Sequence, residues 1–176
     1  MGYVHDTAMA KFIPPTIFGH SAGTWTLAVA INVWSLNRTA ADASFTVFMP
    51  IPILSNSVAF KGSKITSVEF MYSIATAAAD DFPAATASLY VDSLSAIAAS
   101  GSGTINTAAA VATTLDTGHD TDAELKAVDE HRIKLTVTTP LWIDNDQAYH
   151  AEFVVDAAAT TVFKIFGGIA NFTLRV

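Results

Sequence analysis

The chain has five histidines, and their spacing decides whether they can act together. Two imidazoles that bind one metal ion from a single element usually stand two or four residues apart, and no pair here has either spacing. The five are His5, His20, His119, His131 and His150. The chain also has no cysteine, which excludes disulfides and thiolate metal sites. We therefore predict no cofactor and no histidine or cysteine metal centre.

Acidic residues cluster between positions 116 and 122, where carboxylate oxygens of the kind that bind Ca²⁺ are close in sequence. The candidate ligands are Asp116, Asp120 and Asp122, with His119 among them. The segment lacks the glycine placement and the closing glutamate of an EF-hand loop. Two interpretations stay open, a calcium site or a solvated acidic loop, and the second is the more common fate of acidic loop tips.

Three other patterns contain the residue types of hydrolase sites. Asp80–Asp81, and Asp144 with Asp146, are carboxylate pairs of the type used in glycoside hydrolysis, but both stand in ordinary turn sequences. Ser21 occupies the centre of a G-x-S-x-G pattern, which acts as a nucleophile elbow only between a strand and a helix. Here a proline-rich segment precedes Ser21 and a strand is predicted after it. There is no Walker loop or dinucleotide-binding motif either, so we predict that the protein is not an enzyme.

Large aromatic side chains raise the question of sugar binding, because exposed rings stack on pyranose faces. The candidates are Trp25, Trp34, Trp142 and Tyr149. Trp25 shares the apolar face of a predicted strand, and Trp142 alternates with Leu141 and Ile143. Packing in the core or between subunits is the more common role of such residues. A glycan-binding module nevertheless remains the alternative function.

The composition favours assembly. Charged residues make up 14% of the chain, against about 25% in an average soluble domain, and mean hydropathy is +0.40. Because a monomer would have few charges to distribute over its surface, we expect part of that surface to be covered by further copies or by a larger assembly. The alternative is a monomer with a neutral surface of Ser, Thr and Ala.

The charge balance also restricts the partners. A net charge of −7 without a basic cluster argues against nucleic-acid binding. No apolar run approaches the roughly 20 residues of a membrane-spanning helix. Residues 1–11 lack the apolar core of an export signal. We expect neither a nucleic acid nor a membrane as partner, and we find no Sec-type export signal.

Alternation with a period of two is the strongest structural signal, and it places one face of each strand in a core. The alternating apolar sets are Val68, Phe70, Tyr72 and Ile74; Ile133, Leu135 and Val137; and Tyr149, Ala151, Phe153 and Val155. Turn sequences separate seven or eight such strands, and the only predicted helix covers residues 122–128, with Asp122 as its N-cap. This predicts an all-β protein, an antiparallel two-sheet β-sandwich.

The predicted organisation is an extended N-terminal arm, residues 1–23, followed by a single sandwich domain, residues 24–176. Pro14 and Pro15 favour an extended backbone in the arm. Residues 24–34 are predicted to form the first strand. Residues 98–114 are rich in Gly, Ser, Thr and Ala and are predicted to form a flexible excursion, with a weak edge strand at 104–114.

Several segments resemble accessory β-sandwich proteins of tailed-bacteriophage virions. They are residues 60–68 with the Tyr72 strand that follows, residues 129–138, and residues 163–176. The resemblance implies a jelly-roll-like module, often trimeric, that decorates a capsid or forms part of a tail or fibre. These motifs are structural, so no functional residue is carried over.

From the residues and this resemblance we predict a structural virion protein made in the host cytoplasm, a homotrimer that decorates and cements a capsid. Its partners would be further copies of itself and the major capsid protein or another virion protein. The N-terminal arm is predicted to reach an adjacent subunit or the capsid surface by strand addition. The residues predicted to make this contact are Phe12, Ile13, Pro14, Pro15, Ile17 and Phe18.

Overall fold

The computed structural model describes residues 5–30, 33–55, 62–94, 106–140 and 142–175. Strands dominate these ranges, and the only α-helix there is one turn, α1 (Asp122–Leu125). The strands are β1 (Asp6–Ile13), β2 (Gly19–His20), β3 (Trp25–Ala30), β4 (Val33–Arg38), β5 (Ala43–Ile51), β6 (Gly62–Ala75), β7 (Ser88–Leu94), β8 (Asn106–Val111), β9 (Thr113–Leu115), β10 (Asp129–Val137), β11 (Gln147–Ala157) and β12 (Val162–Arg175). The all-β prediction is confirmed. No helix in these ranges is long and apolar enough to cross a membrane.

The strands form two antiparallel sheets. The seven-stranded sheet has the order β3-β4-β12-β6-β10-β9, and β1 is also paired with β12. β6 runs along one side of β12, while β4 and β1 share its other side, β4 at residues 163–165 and β1 at residues 168–175. The five-stranded sheet has the order β2-β5-β11-β7-β8. The predicted two-sheet sandwich is therefore confirmed.

The pairing pattern makes the sandwich a jelly roll. The pairs are nested, with β4 on β12, β5 on β11, β6 on β10 and β7 on β8. β12 also pairs with β6, and β11 with β7, which joins these pairs into sheets β4-β12-β6-β10 and β5-β11-β7-β8. One long antiparallel hairpin rolled up on itself has this order. These eight strands match the predicted number, and β1, β2, β3 and β9 are added at the edges.

The first predicted strand, residues 24–34, is wrong in its extent. The structure divides this region into the hairpin β3–β4, with Trp25 paired with Arg38 and Ala30 with Val33. Alternation changes phase across this two-residue turn, because directly opposite residues of a hairpin share one face and Val29 lies opposite Trp34. The pattern therefore predicts the shared face of Trp25, Leu27 and Val29, but it misses the reversal of the chain and the change of phase that follows it.

The N-terminal segment also differs from the predicted arm. β1 pairs with β12 of the same chain, from Asp6 opposite Arg175 to Ile13 opposite Gly168, and β2 pairs with β5. The described residues 5–23 thus belong to the sandwich. On the side of β12 away from β6, β4 provides hydrogen-bonding partners for the backbone of residues 163–165 only. β1 provides partners for the backbone of residues 168–175.

The core lies between the sheets and contains every residue of the three predicted alternating sets, all less than a tenth exposed. At its centre Phe70 of β6 stacks on Phe153 of β11, with ring centroids 4.2 Å apart. Phe18, from the turn that follows β1, stacks on Phe70 at 5.9 Å. Packing between the two sheets accounts for the alternation.

Two smaller predictions also have outcomes. Part of the predicted excursion forms β8 and β9, which are edge strands of the two sheets, while residues 98–105 lie outside the described ranges. The N-cap of α1 is Thr121 rather than Asp122. Thr121 and Glu124 form a capping box, and this pair satisfies the first free amides of the helix.

Candidate assembly surface

The acidic loop between β9 and β10 uses its carboxylates internally. Asp116 accepts hydrogen bonds from the backbone N–H of Lys134 (2.6 Å) and contacts Nδ1 of His119 (3.0 Å). Asp122 accepts from the backbone N–H of Ala84 at 2.7 Å. Within the described ranges no group of three or more His, Asp or Glu side chains is arranged so that it could hold a metal ion. Asp116 and Asp122 thus connect the loop to neighbouring elements, and the calcium interpretation of Asp116, Asp120 and Asp122 gains no support from the described residues.

The two predicted carboxylate pairs lie far apart. Asp81 forms a bridge with Asp156 near the end of β11, whereas Asp144 and Asp146 precede the start of that strand. Ten residues of strand separate these positions by roughly 30 Å. Hydrolysis of a glycoside by two carboxyl groups needs a separation of about 5–10 Å. The two pairs therefore do not share one hydrolytic site, and this distance does not bear on either pair taken by itself.

Ser21 does not have the surroundings of a nucleophile. It follows the two-residue strand β2, and a strand, β3, comes next rather than a helix. Its Oγ accepts a hydrogen bond from the backbone N–H of Thr46 at 2.8 Å, and its own N–H donates to the carbonyl of Thr46 at 3.0 Å. Ser21 therefore fastens the loop to β5.

A histidine between two carboxylates lies on the outer face of the five-stranded sheet. Nδ1 of His150 contacts Asp92, and Nε2 is 3.1 Å from Glu152. The imidazole also stacks on Tyr90, with ring centroids 5.3 Å apart. Because both ring nitrogens are engaged, His150 has no free nitrogen for a substrate, and the cluster ties β7 to β11. Sequence analysis missed it, since Asp92 and His150 meet only through the strand register.

A second polar cluster lies on the outer face of the seven-stranded sheet. The Glu69 side chain is only 10% exposed, and Arg132 donates to its Oε2 from Nε (2.6 Å) and Nη2 (2.5 Å). Asn171 donates to its other oxygen at 3.0 Å. A groove of about 300 Å³ beside them is completed by Asp116 and Lys134. The acidic and basic charges there balance, and each carboxylate already has a partner.

The aromatic candidates for sugar stacking differ in exposure. Tyr149 is buried, and Trp25 packs edge-on against Phe45 and Phe163. Trp142 lies beneath two cations, Lys64 Nζ at 5.1 Å and the Arg175 guanidinium at 4.6 Å from the ring centroid. Among the four, Trp34 is the exposed one, at 45%.

The six predicted contact residues divide between the core and the surface. Ile13, Pro15 and Phe18 are buried in the protein's own core, so the prediction that they contact a neighbour is corrected. Pro14 is half-buried. Phe12 and Ile17 remain available, with exposed fractions of 55% and 41%. Phe12 is exposed and Ile13 is buried because adjacent side chains of a strand point to opposite faces of the sheet.

The base of the β3–β4 hairpin is anchored in the core. The Arg38 guanidinium lies 4.5 Å from the centroid of the Phe45 ring and donates to the carbonyls of Ala41 and Ala43. Burial lowers the pKa of Arg38. The indole N–H of Trp25 donates to the carbonyl of Ala22 at 2.8 Å. These contacts hold the hairpin in a defined orientation.

Beyond this base, one face of the hairpin is apolar and uncovered. Leu27, Val29 and Trp34, which we call the hairpin face, point to the same side, because Val29 lies opposite Trp34 and Leu27 is two residues from Val29. Their exposed fractions are 47%, 78% and 45%. Residues 24–37 contain no charged side chain. A tryptophan among aliphatic residues on an uncharged, exposed ribbon has the composition of a protein–protein contact.

The fold and this surface define the chain as a jelly-roll β-sandwich with an exposed apolar hairpin. Comparison of the sequence with known protein-family models and with curated proteins finds no match.

Proposed function

We propose that this protein is a non-enzymatic structural component of a tailed-phage virion, a homotrimeric decoration protein that cements the capsid through contacts between subunits. The hairpin face carries the proposal. A two-stranded ribbon is marginally stable when it stands alone in water, and exposed apolar side chains on it make isolation still less favourable. A permanent contact with another protein resolves both problems.

Three further observations support this role. The jelly-roll order occurs in viral capsid domains, although it also occurs in lectins and other proteins. Only 14% of the residues are charged, which suits a chain that is partly covered in an assembly. The side chains of the polar clusters around His150 and Glu69 are paired with one another, as parts of the sheet surface.

Glycan recognition by a tail or fibre module is the second candidate, and the exposed ring of Trp34 favours it. The two functions make different predictions for Trp34→Ala. In a decoration protein this change weakens self-association. In a glycan-binding module it abolishes binding on a glycan array and leaves the oligomeric state unchanged.

The proposal is tested first by molar mass and then by localisation. Light scattering of the purified protein is expected to give three times the 18.6 kDa chain mass. Mass spectrometry of purified phage particles is expected to find the protein in many copies, and added protein is expected to bind particles that lack it. A monomer with turnover on a small substrate, or with saturable glycan binding, contradicts the proposal.

A further inference from the structure

We infer that the hairpin face of one copy packs on a second apolar surface, on the opposite side of the seven-stranded sheet, in the next copy. That surface, the Phe12 patch, consists of Phe12, Met71, Phe166 and Ile169. The inference rests on the proposed self-assembly and deepens it, because it names the two surfaces that meet and the arrangement that follows.

The Phe12 patch is continuous across three neighbouring strands. Phe12 of β1 lies opposite Ile169 of β12, and Met71 of β6 lies opposite Gly167 of β12. A Cβ placed on Gly167 would lie 2.9 Å from carbons of the Phe12 ring, so this ring covers the glycine between the two pairs. Phe166 and Met71 line one side of a depression of about 390 Å³, whose other lining residues include Glu130, His131 and Arg132. The result is an apolar stripe with a recess beside it.

The two surfaces lie on opposite sides of the sheet. Ile13 is fully buried, so its neighbour Phe12 points outward. The hairpin face instead continues the inner side, because Trp25, on the same side of β3, packs against Phe45 in the core. One copy therefore cannot cover its own Phe12 patch with its own hairpin face, and each surface is free for a neighbour.

The chemistry of the two surfaces matches. Neither set of residues contains a charged side chain. Charges lie at the rim of the Phe12 patch, where Glu130 and Arg132 line the depression beside Met71 and Phe166, and Arg132 is paired with Glu69. Apolar surface is best covered by apolar surface, and a charged partner would be desolvated without compensation. The hairpin face of a second copy is such an uncharged surface, and it is present wherever the Phe12 patch is present.

Contact between two different surfaces joins copies head to tail. Such a contact closes into a ring when successive copies are related by a rotation that divides a full turn. A rotation of one third of a turn gives the proposed trimer, in which all three hairpin faces and all three Phe12 patches are buried.

Cross-linking tests the contact directly, because the natural chain has no cysteine. Val29→Cys and Phe12→Cys proteins are prepared separately, mixed, and treated with a short bismaleimide. The mixture is expected to give covalent dimers, whereas either protein alone gives few. A mixture of Val29→Cys with Leu94→Cys is the control, because Leu94 at the end of β7 is about as exposed (58%) as Phe12 (55%). Dimers from Val29→Cys alone, or none from the mixture, would overturn the head-to-tail contact.

A charge on the hairpin tests its contribution to assembly. Val29→Glu is expected to leave the fold of the protomer unchanged by circular dichroism, because the side chain is 78% exposed, and to weaken trimer formation at least about tenfold. Leu94→Glu is the matched control and is expected to remain trimeric. A Val29→Glu protein that stays trimeric overturns the inference.

The two proposals fail in distinguishable ways. Trimers that bind particles and are insensitive to Val29→Glu contradict the inference and leave the proposed function intact. Trimers that dissociate on Val29→Glu but never bind phage particles contradict the proposed function and leave the contact intact. A natural protein that is monomeric and binds lipid vesicles, with the binding lost in Val29→Glu, contradicts both.

Discussion

Asp6 at the start of β1 and Arg175 at the end of β12 form a bidentate ion pair across 169 positions of sequence. Arg175 Nε lies 2.5 Å from Asp6 Oδ1, and Nη2 lies 2.6 Å from Oδ2. The same guanidinium covers the Trp142 ring. The pair joins the two ends of the described chain. It lies at the C-terminal end of β12, and the other end of β12 pairs with β4 of the β3–β4 hairpin.

The Asp6–Arg175 pair predicts a dependence of stability on pH. Hydrogen bonds from Arg175 hold the pKa of the Asp6 carboxyl below its usual value. A depressed folded pKa means that the stabilisation is fully present above the unfolded pKa, about 3.9, and is lost as pH falls through the folded value. Asp6→Asn is expected to lower the thermal midpoint by about 1–3 °C at pH 7 and to have no effect at the acid end of the series.

Thermal unfolding between pH 7 and pH 2 measures this effect. Asp42→Asn is the matched control, since Asp42 is exposed and has no ion pair within the described ranges. Equal losses for the two variants at pH 7 would show that the ion pair contributes nothing.

Gly167 predicts a steric limit at the bulge of β12. It has φ +137°, and a Cβ there would lie 2.7 Å from the carbonyl oxygen of Ile13. Gly118 also has positive φ, +93°, but nothing lies within 4 Å of its Cβ position. Gly118→Ala is expected to cost about 1 kcal/mol from backbone strain, and Gly167→Ala about 2–4 kcal/mol because displacement of β1 is added. Urea unfolding of both variants measures the difference, and equal costs would contradict the close approach.

The buried phenol of Tyr72 predicts a loss of stability at high pH. Its hydroxyl donates to the carbonyl of Leu125 at 2.7 Å, so Tyr72→Phe is expected to cost about 1–2 kcal/mol at pH 7. Burial also raises the pKa of Tyr72 far above its usual value. A raised folded pKa means that this stabilisation is complete below the unfolded pKa, about 10, and declines above it.

Chemical denaturation from pH 8 to pH 11 tests the Tyr72 prediction. The decline in the free energy of unfolding is expected to be shallower in Tyr72→Phe than in the natural protein. A remaining slope is expected from Tyr149, whose pKa is also raised by burial. Identical slopes in the two proteins would be evidence against a protonated, buried Tyr72.

The Glu69–Arg132 pair predicts a coupling across β6 and β10. Arg132→Met removes the cation that pairs with a carboxylate only 10% exposed, and we expect a cost of about 1–2 kcal/mol, because Asn171 still donates to Glu69. Lys134→Met, on the same strand and exposed, is the control and is expected to change little. Adding Glu69→Gln to Arg132→Met is expected to recover part of the loss in a double-mutant cycle. Strict additivity would show that the two side chains are not coupled.

Much of the core follows from alternation alone. Phe70 on β6, Ile133 on β10 and Phe153 on β11 are all buried, because a strand between a core and solvent must place every second side chain inward. The same pattern does not record where the chain reverses, and residues 24–34 therefore looked like one strand although they belong to a hairpin. The proline pair at positions 14 and 15 predicted an extended backbone, which holds for Pro14, whereas Pro15 begins the 3₁₀ turn Pro15–Ile17.

The amino-acid sequence by itself determined the all-β class, the inward faces of the long strands and the scarcity of charge, because composition and a period of two are local properties. Only the tertiary structure decided that β1 lies beside β12, that Glu69 meets Arg132, and that Leu27, Val29 and Trp34 extend beyond the core. These are contacts between residues far apart in the chain. They depend on strand register and sheet order, which a period of two leaves open.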